Sequence, residues 1–529
     1  MSSPFKIAVS ASAVAASLVL ITSTTSTAAG HGNNSVHGLL LPGHLLLSST
    51  TYTVPASAIT VGKTILPGCT LGTAGDPNCT AVADASYPGV FNNEEYDPSF
   101  GITTPISLQL ITPSGHTMST VQVPTDTNGD HLVTSFPSKS EIALNLSTGA
   151  DALTFMGYVA PVGALDISNA NTQAGDDPTN PVSLVAKRAV AKMLADGSFG
   201  FTETNAYSGN NGRAAVLADT HGVNEFFMSG NAGNGGNPEP APVVAGAGAQ
   251  MATPSTLPEA LQSPGAPTAA GYFNIAQLGD KPDKTPKDSN FRGLTIHDNV
   301  VYLTKGSGGN GVNTVYYVDT ANTCHNGVGI PSTTASLPTT GGNTICILQG
   351  FNTTLAKAAT NNAFPFGMWF ANDTTLYVAD EGSGSNTWNA ATGTFTDAAA
   401  STTAGLQKWV LQNGSWNLAY TIQDGLGLGT PYDVAGYPTG DNAATGLPWA
   451  PATDGLRNIS GRVNADGTVT VWGITSTVSG ATDEGADPNR LVTVSDALSA
   501  TSAAGDTFTT LRTAASGEAL RGIAYVPGN

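Results

Sequence analysis

This sequence has little charge and carries none of the common catalytic motifs. Only 11% of its 529 residues are charged, and the formal net charge is −19. An acidic chain without a concentrated basic segment does not suit nucleic acid or an anionic membrane surface as a partner. The sequence contains no G-x-S-x-G, no H-E-x-x-H, no phosphate-binding loop and no dinucleotide fingerprint, so nothing points to the enzyme classes with these motifs.

Long apolar runs are also scarce. One run, residues 7–21, follows Lys6 and precedes a stretch of small residues near Ala29. It is short for a membrane span, which takes about 20 apolar residues. We therefore predict a cleaved secretory signal over residues 1–29, an exported protein (extracellular or periplasmic) and no membrane insertion.

Cysteine is rare, with four residues in the chain. Cys69 and Cys79 flank one Gly- and Pro-rich loop, and Cys324 and Cys346 flank another. Neither pair has the spacing of a metal site, and two local disulfides are the simplest of the three possible pairings. Free buried thiols are the alternative.

A repeated β-hairpin is the main feature present. In residues 288–309 an apolar strand runs to a tight turn at His297, Asp298 and Asn299, a second strand returns, and a Gly-rich segment ends it. The same pattern starts six times along the chain, at roughly 60–90 residue spacing, which is typical of a repeat architecture. The six copies are residues 138–159, 211–233, 288–309, 364–384, 455–480 and, truncated, 518–527.

These copies predict an all-β fold, a six-bladed β-propeller. The copy at 364–384 is followed by two more strands, residues 405–411 and 416–423, which makes a blade of four. The last copy has one strand, whereas residues 104–112 and 116–123 form a hairpin without a partner. Joining them would close the propeller with strands from both termini and remove exposed sheet edges.

The predicted domains follow from this pattern. Residues 30–86 form a loosely ordered leader, and residues 87–529 form the propeller. A Pro-, Gly- and Ala-rich insertion at 231–287 interrupts it, with a strand possible at residues 272–278. Residues 182–197 resemble an amphipathic helix, but we favour a strand ending at the Asp196–Gly197 turn, because residues 199–204 follow at hairpin distance.

Arginine recurs at one position of the repeat. Four of the 8 arginines in the chain lie there, and the first and fourth copies carry Glu141 and Phe366 instead. First strands of blades line the central channel, so these side chains are expected to form an anion-binding funnel, since guanidinium binds carboxylate and phosphate in a bidentate manner. The alternative is that the arginines are internal struts between blades. The candidate ligand-binding residues are Arg213, Arg292, Lys305, Arg457, Arg521, Glu141, Tyr158 and Asn211, with Lys139 at the same mouth.

Two carboxylates are the candidates for metal binding or catalysis. Asp380 and Glu381 follow a clean strand and could coordinate calcium or act as general acid and base. An ion pair with the arginines is the alternative, and we favour it. The D-x-N-x-D spacing at residues 126–130 lacks the glycine and final glutamate of a calcium loop, so a plain polar loop is favoured there. His221 and His297 lie in hairpin turns, on the face opposite the arginines.

The segments NFRGL at 290–294, LYVADEG at 376–382 and TDGLRNI at 453–459 carry a resemblance. The chain resembles secreted six-bladed propellers, the broad group of calcium-dependent lactonases, strictosidine-synthase-like proteins and propeller phytases, and secreted bacterial proteins with these segments. The resemblance implies a six-bladed fold and a site in the central channel, commonly with calcium. Function does not follow from such a fold alone.

Three hypotheses remain open from the sequence. One is an exported enzyme, a calcium-assisted hydrolase of a phosphoester or lactone, or a lyase. Another is a non-catalytic extracellular protein that binds an anionic small molecule or acidic saccharide in the funnel. The last is a structural envelope protein. In each case we expect a monomer.

Overall fold

Short strands separated by Gly-, Asn- and Asp-containing turns make up most of the chain, as the alternation of apolar runs and turn residues predicts. The computed structural model describes residues 39–52, 101–125, 132–178, 180, 182, 184–233, 243, 248–255, 271–275, 289–306, 309–359, 362–443, 445–481 and 485–528. These residues belong to one compact unit, Gly38–Asn529. The predicted signal sequence, Cys69, Cys79 and the loop at 126–130 lie outside the described residues.

The described residues form 28 strands and include a short α-helix, α1 (Thr396–Ala399), and 3-10 turns at Ile167–Asn169 and Ala356–Ala358. No helix among them is long and apolar enough to cross a bilayer. The strands are β1 (Leu45–Thr51), β2 (Thr103–Ile111), β3 (Thr117–Gln122), β4 (Val133–Ser135), β5 (Asn145–Leu146), β6 (Ala152–Tyr158), β7 (Arg188–Leu194), β8 (Phe199–Thr204), β9 (Gly212–Ala218), β10 (Glu225–Gly230), β11 (Ala249–Ala252), β12 (Tyr272–Ile275), β13 (Leu294–His297), β14 (Val300–Lys305), β15 (Thr314–Asp319), β16 (Val328–Gly329), β17 (Thr344–Leu348), β18 (Pro365–Asn372), β19 (Thr375–Asp380), β20 (Trp388–Asn389), β21 (Thr394–Phe395), β22 (Gly405–Gln412), β23 (Ser415–Ile422), β24 (Ala452–Val463), β25 (Thr468–Val478), β26 (Arg490–Ala497), β27 (Thr509–Thr513) and β28 (Glu518–Tyr525).

The fold is nearly all-β with a propeller-like arrangement of sheets. Two sheets have four strands each, in the orders β18-β19-β22-β23 and β24-β25-β26-β27, and a small sheet holds β20 and β21. A nine-stranded sheet has the order β28-β1-β2-β4-β6-β7-β8, and in it β3 also pairs with β2 and β5 with β6. A second nine-stranded sheet has the order β13-β14-β15-β17-β12-β11-β10-β9, and in it β16 also pairs with β17.

Six separate four-stranded sheets are therefore not found, and the predicted count of six blades is not confirmed. The reason is pairing between neighbouring repeat units. Strand β12 pairs in parallel with β17, and β4 pairs with both β2 and β6. These bridges merge strands that the repeat pattern assigns to different blades.

The last strand lies beside the first described one. Strand β28 pairs antiparallel with β1, and β1 pairs with β2. The sequence prediction joined the last strand directly to the β2–β3 hairpin and placed residues 45–51 in a loosely ordered leader. That part of the predicted leader is instead a strand, buried from Leu45 to Thr50.

The repeat copy at 364–384 is confirmed in detail, since β18, β19, β22 and β23 form one antiparallel sheet. The hairpin between β13 and β14 turns at Asp298 and Asn299, with φ angles of 46° and 59°. Positive values at both central residues are typical of the type I′ turn that short hairpins favour.

Two other predictions concern less regular segments. The strand preferred over a helix within residues 182–197 is confirmed as β7, which pairs with β8. Part of the predicted insertion, residues 249–252 and 272–275, is sheet (β11 and β12), and the structure describes few of its other residues. Cys324 and Cys346 form a disulfide between β17 and the loop after β15, as predicted.

First strands of neighbouring units approach so closely that the contact requires glycine. A Cβ atom on Gly367 of β18 would lie 2.6 Å from the backbone oxygen of Arg457 in β24. One on Gly522 of β28 would lie 2.6 Å from the backbone oxygen of Ile142. Real side chains do not tolerate such distances, so even a methyl group would push the strands apart.

We predict that Gly367→Ala destabilises the protein by about 1–3 kcal/mol, because the added methyl group overpacks this contact. The midpoint of guanidinium chloride unfolding measures the effect. Gly200→Ala in β8 is the matched control, since Gly200 is an exposed strand residue with open space around its Cβ position. Equal midpoints for the two variants would contradict the requirement for close approach.

Candidate functional site

The first strands of the repeat units pack side by side. Strands β5, β9, β13, β18, β24 and β28 contact one another in that order, and β28 also contacts β5. The repeated arginine position lies at or just before the start of β9 and β13, and within β24 and β28. This packing brings the aligned side chains towards one region, and all four arginines are buried, with 2–7% of their surface exposed.

Glu381 is where three of the predicted cationic residues meet. The Nε atom of Arg457 lies 3.2 Å from its Oε2 atom, and the Nζ atom of Lys139 lies 3.8 Å from the same oxygen. Burial raises the pKa of Glu381, but the charges of Lys139, Arg292 and Arg457 outweigh burial and lower that pKa below its usual value. Glu381 is therefore held as a carboxylate by cations from three parts of the chain.

Arg213 extends the same cluster. Its Nε atom donates to Asn211, and its Nη1 atom donates to Asn290 and to the backbone oxygen of Phe291. Burial, followed by the nearby charge of Arg292, lowers the pKa of Arg213 well below its usual value. Two like charges thus lie close together in a buried place, which is stable only because carboxylates and carbonyls surround them.

Glu141 is the second carboxylate of the cluster. It is fully buried and accepts hydrogen bonds from Tyr158, Thr134 and the backbone amide of Ser135. The side-chain amide of Asn211 lies 3.5 Å from its Oε1 atom. Glu141, Tyr158 and Asn211 were predicted to lie together, and the structure brings them together with Arg213.

Arg521 and Lys305 have different surroundings. Arg521 donates to the backbone oxygens of Phe136 and Gly485, at 2.5 and 2.8 Å. Lys305 is fully buried, and its Nζ atom donates to Asn313 at 3.0 Å. The charges with the largest effect on the pKa of Glu381 are those of Lys139, Arg292 and Arg457. The structure places Arg213, Arg292, Arg457 and Lys139 near one another, and these residues with Glu141 and Glu381 are called the cationic cluster below.

Residues 136–141, the crossing segment, contact most of the surrounding units. The backbone oxygen of Phe136 accepts from Arg521, the hydroxyl of Ser138 accepts from Asn211, and the hydroxyl of Ser140 accepts from Arg292. Lys139 of the same segment reaches Glu381. About a third of the Lys139 side chain is exposed (31%), which makes it the accessible member of the cluster.

Asp380 does not share the surroundings of Glu381. Its carboxylate is fully buried and accepts from the backbone amides of Phe364 and Gly382 and from the side chain of Gln407. As placed, Asp380 and Glu381 do not offer the several convergent oxygens that calcium needs, so we derive no step through calcium. The one group of potential metal ligands among the described residues is Asp319, Cys324 and Cys346, and its two cysteines are disulfide-bonded.

A cavity of about 510 Å³ lies further along the same first strands, and its lining includes residues of the hairpin turns. Every aligned repeat position is followed, three residues later, by a residue that lines it. These six residues are Leu144, Val216, Thr295, Trp369, Ser460 and Ala524. His221 and His297 also line it, as expected for the face of the hairpin turns. The repeat alignment could have indicated this cavity, because the lining residues occupy one repeat position. The pattern of charged residues does not indicate it.

Two buried charged groups outside the repeat position were also missed. Arg188 is fully buried, stacks over Tyr158 at 5.2 Å and donates to the backbone oxygens of Ala186, Ser168 and Asn210. Lys408 and Asp496 form a fully buried ion pair at 3.0 Å. All three residues lie outside the repeated first hairpins, so that repeat gave no signal for them.

We predict that Asp380 makes stability depend on pH. Burial raises the pKa of its carboxyl from 3.8 to about 6. Because this folded-state pKa is the higher one, the ionised carboxylate opposes folding: the penalty is absent below about pH 4, grows up to about pH 6 and is constant above it. Relative to the wild type, the free energy of unfolding of Asp380→Asn should therefore rise by up to about 3 kcal/mol between pH 4 and pH 7. Urea unfolding at several pH values measures this difference.

The exposed turn residue Asp466 provides a control of opposite sign. Hydrogen bonds from the hydroxyl and the amide of Thr468 lower the pKa of Asp466. Asp466→Asn should therefore lose stability relative to the wild type as the pH rises. Suppose that Asp380→Asn and the wild type differ in stability by the same amount at every pH from 4 to 7. Burial then does not raise the pKa of Asp380.

Comparison with known proteins gives a weak likeness of fold. No protein-family model matches the sequence, and no curated protein matches it. Among solved structures, NanB with Optactamide matches with a TM-score of 0.32 and 8% sequence identity over 72% of this chain. The NanB sialidase of Streptococcus pneumoniae in complex with 2-[(3-chlorobenzyl)ammonio]ethanesulfonate matches with a TM-score of 0.30 and 7% identity over 73% of this chain. The chain spans 62% of the length of both.

A polysaccharide lyase of family PL25, an ulvan lyase bound to a saccharide of glucuronate and sulfated rhamnose, matches at a TM-score of 0.29 and 8% identity. That match covers 82% of this chain and 90% of the lyase. Likenesses at this level carry no argument about what the chain binds or catalyses.

Proposed function

We propose that this protein is an exported β-propeller that binds an anionic small molecule or an acidic saccharide at the cationic cluster, without catalysing a reaction. The observation that carries the proposal is the pairing of Arg457 and Lys139 with Glu381. Arg292 bonds to Ser140 beside Lys139, and Arg213 bonds to Asn211, whose amide lies 3.5 Å from Glu141. In an acidic chain with 8 arginines, this cluster concentrates positive charge in one place.

The chemistry of the cluster suits a carboxylate, sulfate or phosphate group. Guanidinium groups present planar pairs of donors that match the oxygens of these anions. The Nη2 atom of Arg457 is buried and has no hydrogen-bond acceptor among the described residues. An anion entering beside Lys139 would accept from this donor and would relieve the repulsion between Arg213 and Arg292.

The proposal includes a closed propeller of six four-stranded units. In addition to the four-stranded sheets β18-β19-β22-β23 and β24-β25-β26-β27, the units would be β5-β6-β7-β8, β9-β10-β11-β12, β13-β14-β15-β17 and β28-β1-β2-β3. The contacts of the first strands in a continuous circle support this grouping, as does the pairing of β28 with β1. In this arrangement both ends of the chain build one blade, which removes two sheet edges.

Export is also part of the proposal. The disulfide between Cys324 and Cys346 supports it, because such bonds persist in oxidising compartments. We propose a monomer, as the sequence suggested.

A catalytic version of the proposal has fewer observations behind it. Asp380 and Glu381 are its acid–base candidates. Asp380 already accepts three hydrogen bonds, and Glu381 is paired with Arg457 and Lys139. Binding without catalysis needs no rearrangement of either carboxylate.

A purely structural role is the second candidate, and one observation favours it. The Nη2 atom of Arg521 donates to two backbone oxygens, those of Phe136 and Gly485. These bonds link the crossing segment to another part of the chain. If Arg292 and Arg457 act in the same way, the cluster serves as an internal brace and takes no ligand.

We predict that Lys139→Gln weakens anion binding about tenfold while leaving the melting temperature of the ligand-free protein nearly unchanged. Lys139 is partly exposed, and Glu381 keeps its closer ion pair with Arg457, at 3.2 Å, when the 3.8 Å pair with Lys139 is removed. The measurement is a thermal-shift titration with inorganic phosphate, a phosphate monoester and glucuronate, with and without calcium, at ionic strength held constant with chloride.

Lys187→Gln is the matched control. Lys187 is equally exposed, at 30%, and pairs with Glu203, which is not a member of the cluster. It should keep the anion response of the wild type. If none of the anions raises the melting temperature of the wild type, or if both lysine variants respond as the wild type does, the structural role replaces the proposal.

A further inference from the structure

The cavity along the first strands differs chemically from the cationic cluster. It is lined by residues 144–148, 295–299, 459–461 and 523–525, together with parts of β9, β18 and the turn after β9. Its lining contains neither lysine nor arginine, and its single carboxylate is that of Asp298. The ligand that fits is therefore not the anion proposed for the cationic cluster.

One wall of the cavity carries aromatic rings. Trp369 of β18 and Tyr525 of β28 are both half-buried and both line it. The indole of Trp369 lies against Gly461, where a Cβ atom would come within 2.6 Å of the ring. The ring of Tyr525 stacks on Trp472 with centroids 5.4 Å apart and planes 11° apart. Trp369 also stacks on Tyr377 with ring centroids 5.9 Å apart, and the guanidinium of Arg462 lies 5.9 Å from the centroid of the Tyr525 ring. Both rings are thus held in place by packing.

Polar groups come from the hairpin turns on the other side. Thr148, Thr220, Asp298 and Asn299 line the cavity from the turns after β5, β9 and β13. The positive φ angles of Asp298 and Asn299 fix that turn, and Asp298 is exposed to solvent. The hydroxyl of Thr148 donates to Asp219 and that of Thr220 donates to Thr148. The Thr220 oxygen and the Asp298 carboxylate can therefore accept hydrogen bonds from a ligand without adding positive charge.

We propose that this cavity binds a neutral saccharide. Aromatic rings pack against the apolar faces of sugar rings, and the carboxylate of Asp298 and the hydroxyl oxygen of Thr220 accept hydrogen bonds from sugar hydroxyl groups. The volume of about 510 Å³ lies in the range of small-molecule sites, about 300–1,000 Å³. The rings and turns are already held in place, so little ordering is needed on binding. The site is separate from the cationic cluster and does not rest on the function proposed there.

The test is titration of the full mature protein with cellobiose, maltose and chitobiose, followed by calorimetry and by tryptophan fluorescence. We expect at least one of them to bind with a dissociation constant of about 1 mM or tighter. Trp369→Ala should weaken this binding about tenfold, and Trp369→Phe should weaken it less, because it keeps a ring. Asp298→Asn should weaken it about threefold or more while preserving the turn, since asparagine tolerates a positive φ.

Two control variants show whether the loss of affinity is specific to this cavity. Trp388→Ala removes a half-buried tryptophan that packs on Phe395 and does not line the cavity, and it should leave saccharide affinity unchanged. Lys139→Gln, which tests the cationic cluster, should also leave it unchanged. Near-UV circular dichroism identifies any variant that has lost its fold, and Asp298→Asn then serves as the deciding variant.

The proposal is overturned if none of the three disaccharides binds to the wild type. It is equally overturned if they bind but Trp369→Phe and Asp298→Asn both keep the affinity of the wild type. Binding of hexanol in place of the sugars would assign the cavity to an apolar ligand and would also overturn it.

Discussion

The close packing of neighbouring first strands is the constraint on which the centre of this protein depends. Gly367 and Gly522 lie against the backbone of the next first strand, where a methyl group would not fit. Asn458 occupies the equivalent position after Arg457 and donates to the backbone oxygen of Arg521. With backbones this close, the long side chain that precedes each of these residues is buried. A buried guanidinium must then find acceptors, and Glu381 and backbone carbonyl groups provide them.

Much of the packing of the first strands can be predicted from the sequence, because the features that produce it are local and repeated. Hairpin turns, first strands and the recurring arginine can each be recognised from a short segment. The convergence of Arg213, Arg292 and Arg457 follows from the repeat alone. Arg521 occupies the same repeat position, but its acceptors, the backbone oxygens of Phe136 and Gly485, are distant in sequence, and no local pattern reveals them.

Other features depend on contacts between distant parts of the chain. Strand β1 was missed because its run of apolar residues does not alternate with polar ones, as expected for a strand paired and buried on both sides. Its partner β28 lies at the other end of the sequence. Asp380 and Glu381 are adjacent, yet successive residues of an extended chain point in opposite directions. One therefore meets backbone amides and the other meets the cations, a division that their shared motif does not indicate.

The positions that repeat and those that vary have different tasks along the first strands. Arginine occupies the aligned position in four of the six units, and alanine or glycine follows that position in four of them. Close packing between first strands explains this recurrence. Three residues further on, the side chains are chemically diverse, from Val216 to Trp369 and Ser460, although all of them line one cavity. A position that does not lie at the close contact between strands can carry a side chain that suits a ligand. At the cationic cluster the corresponding non-repeating residues are Lys139 and Glu381. In this fold, therefore, repetition marks what holds the strands together, and departure from the repeat marks where recognition is to be sought.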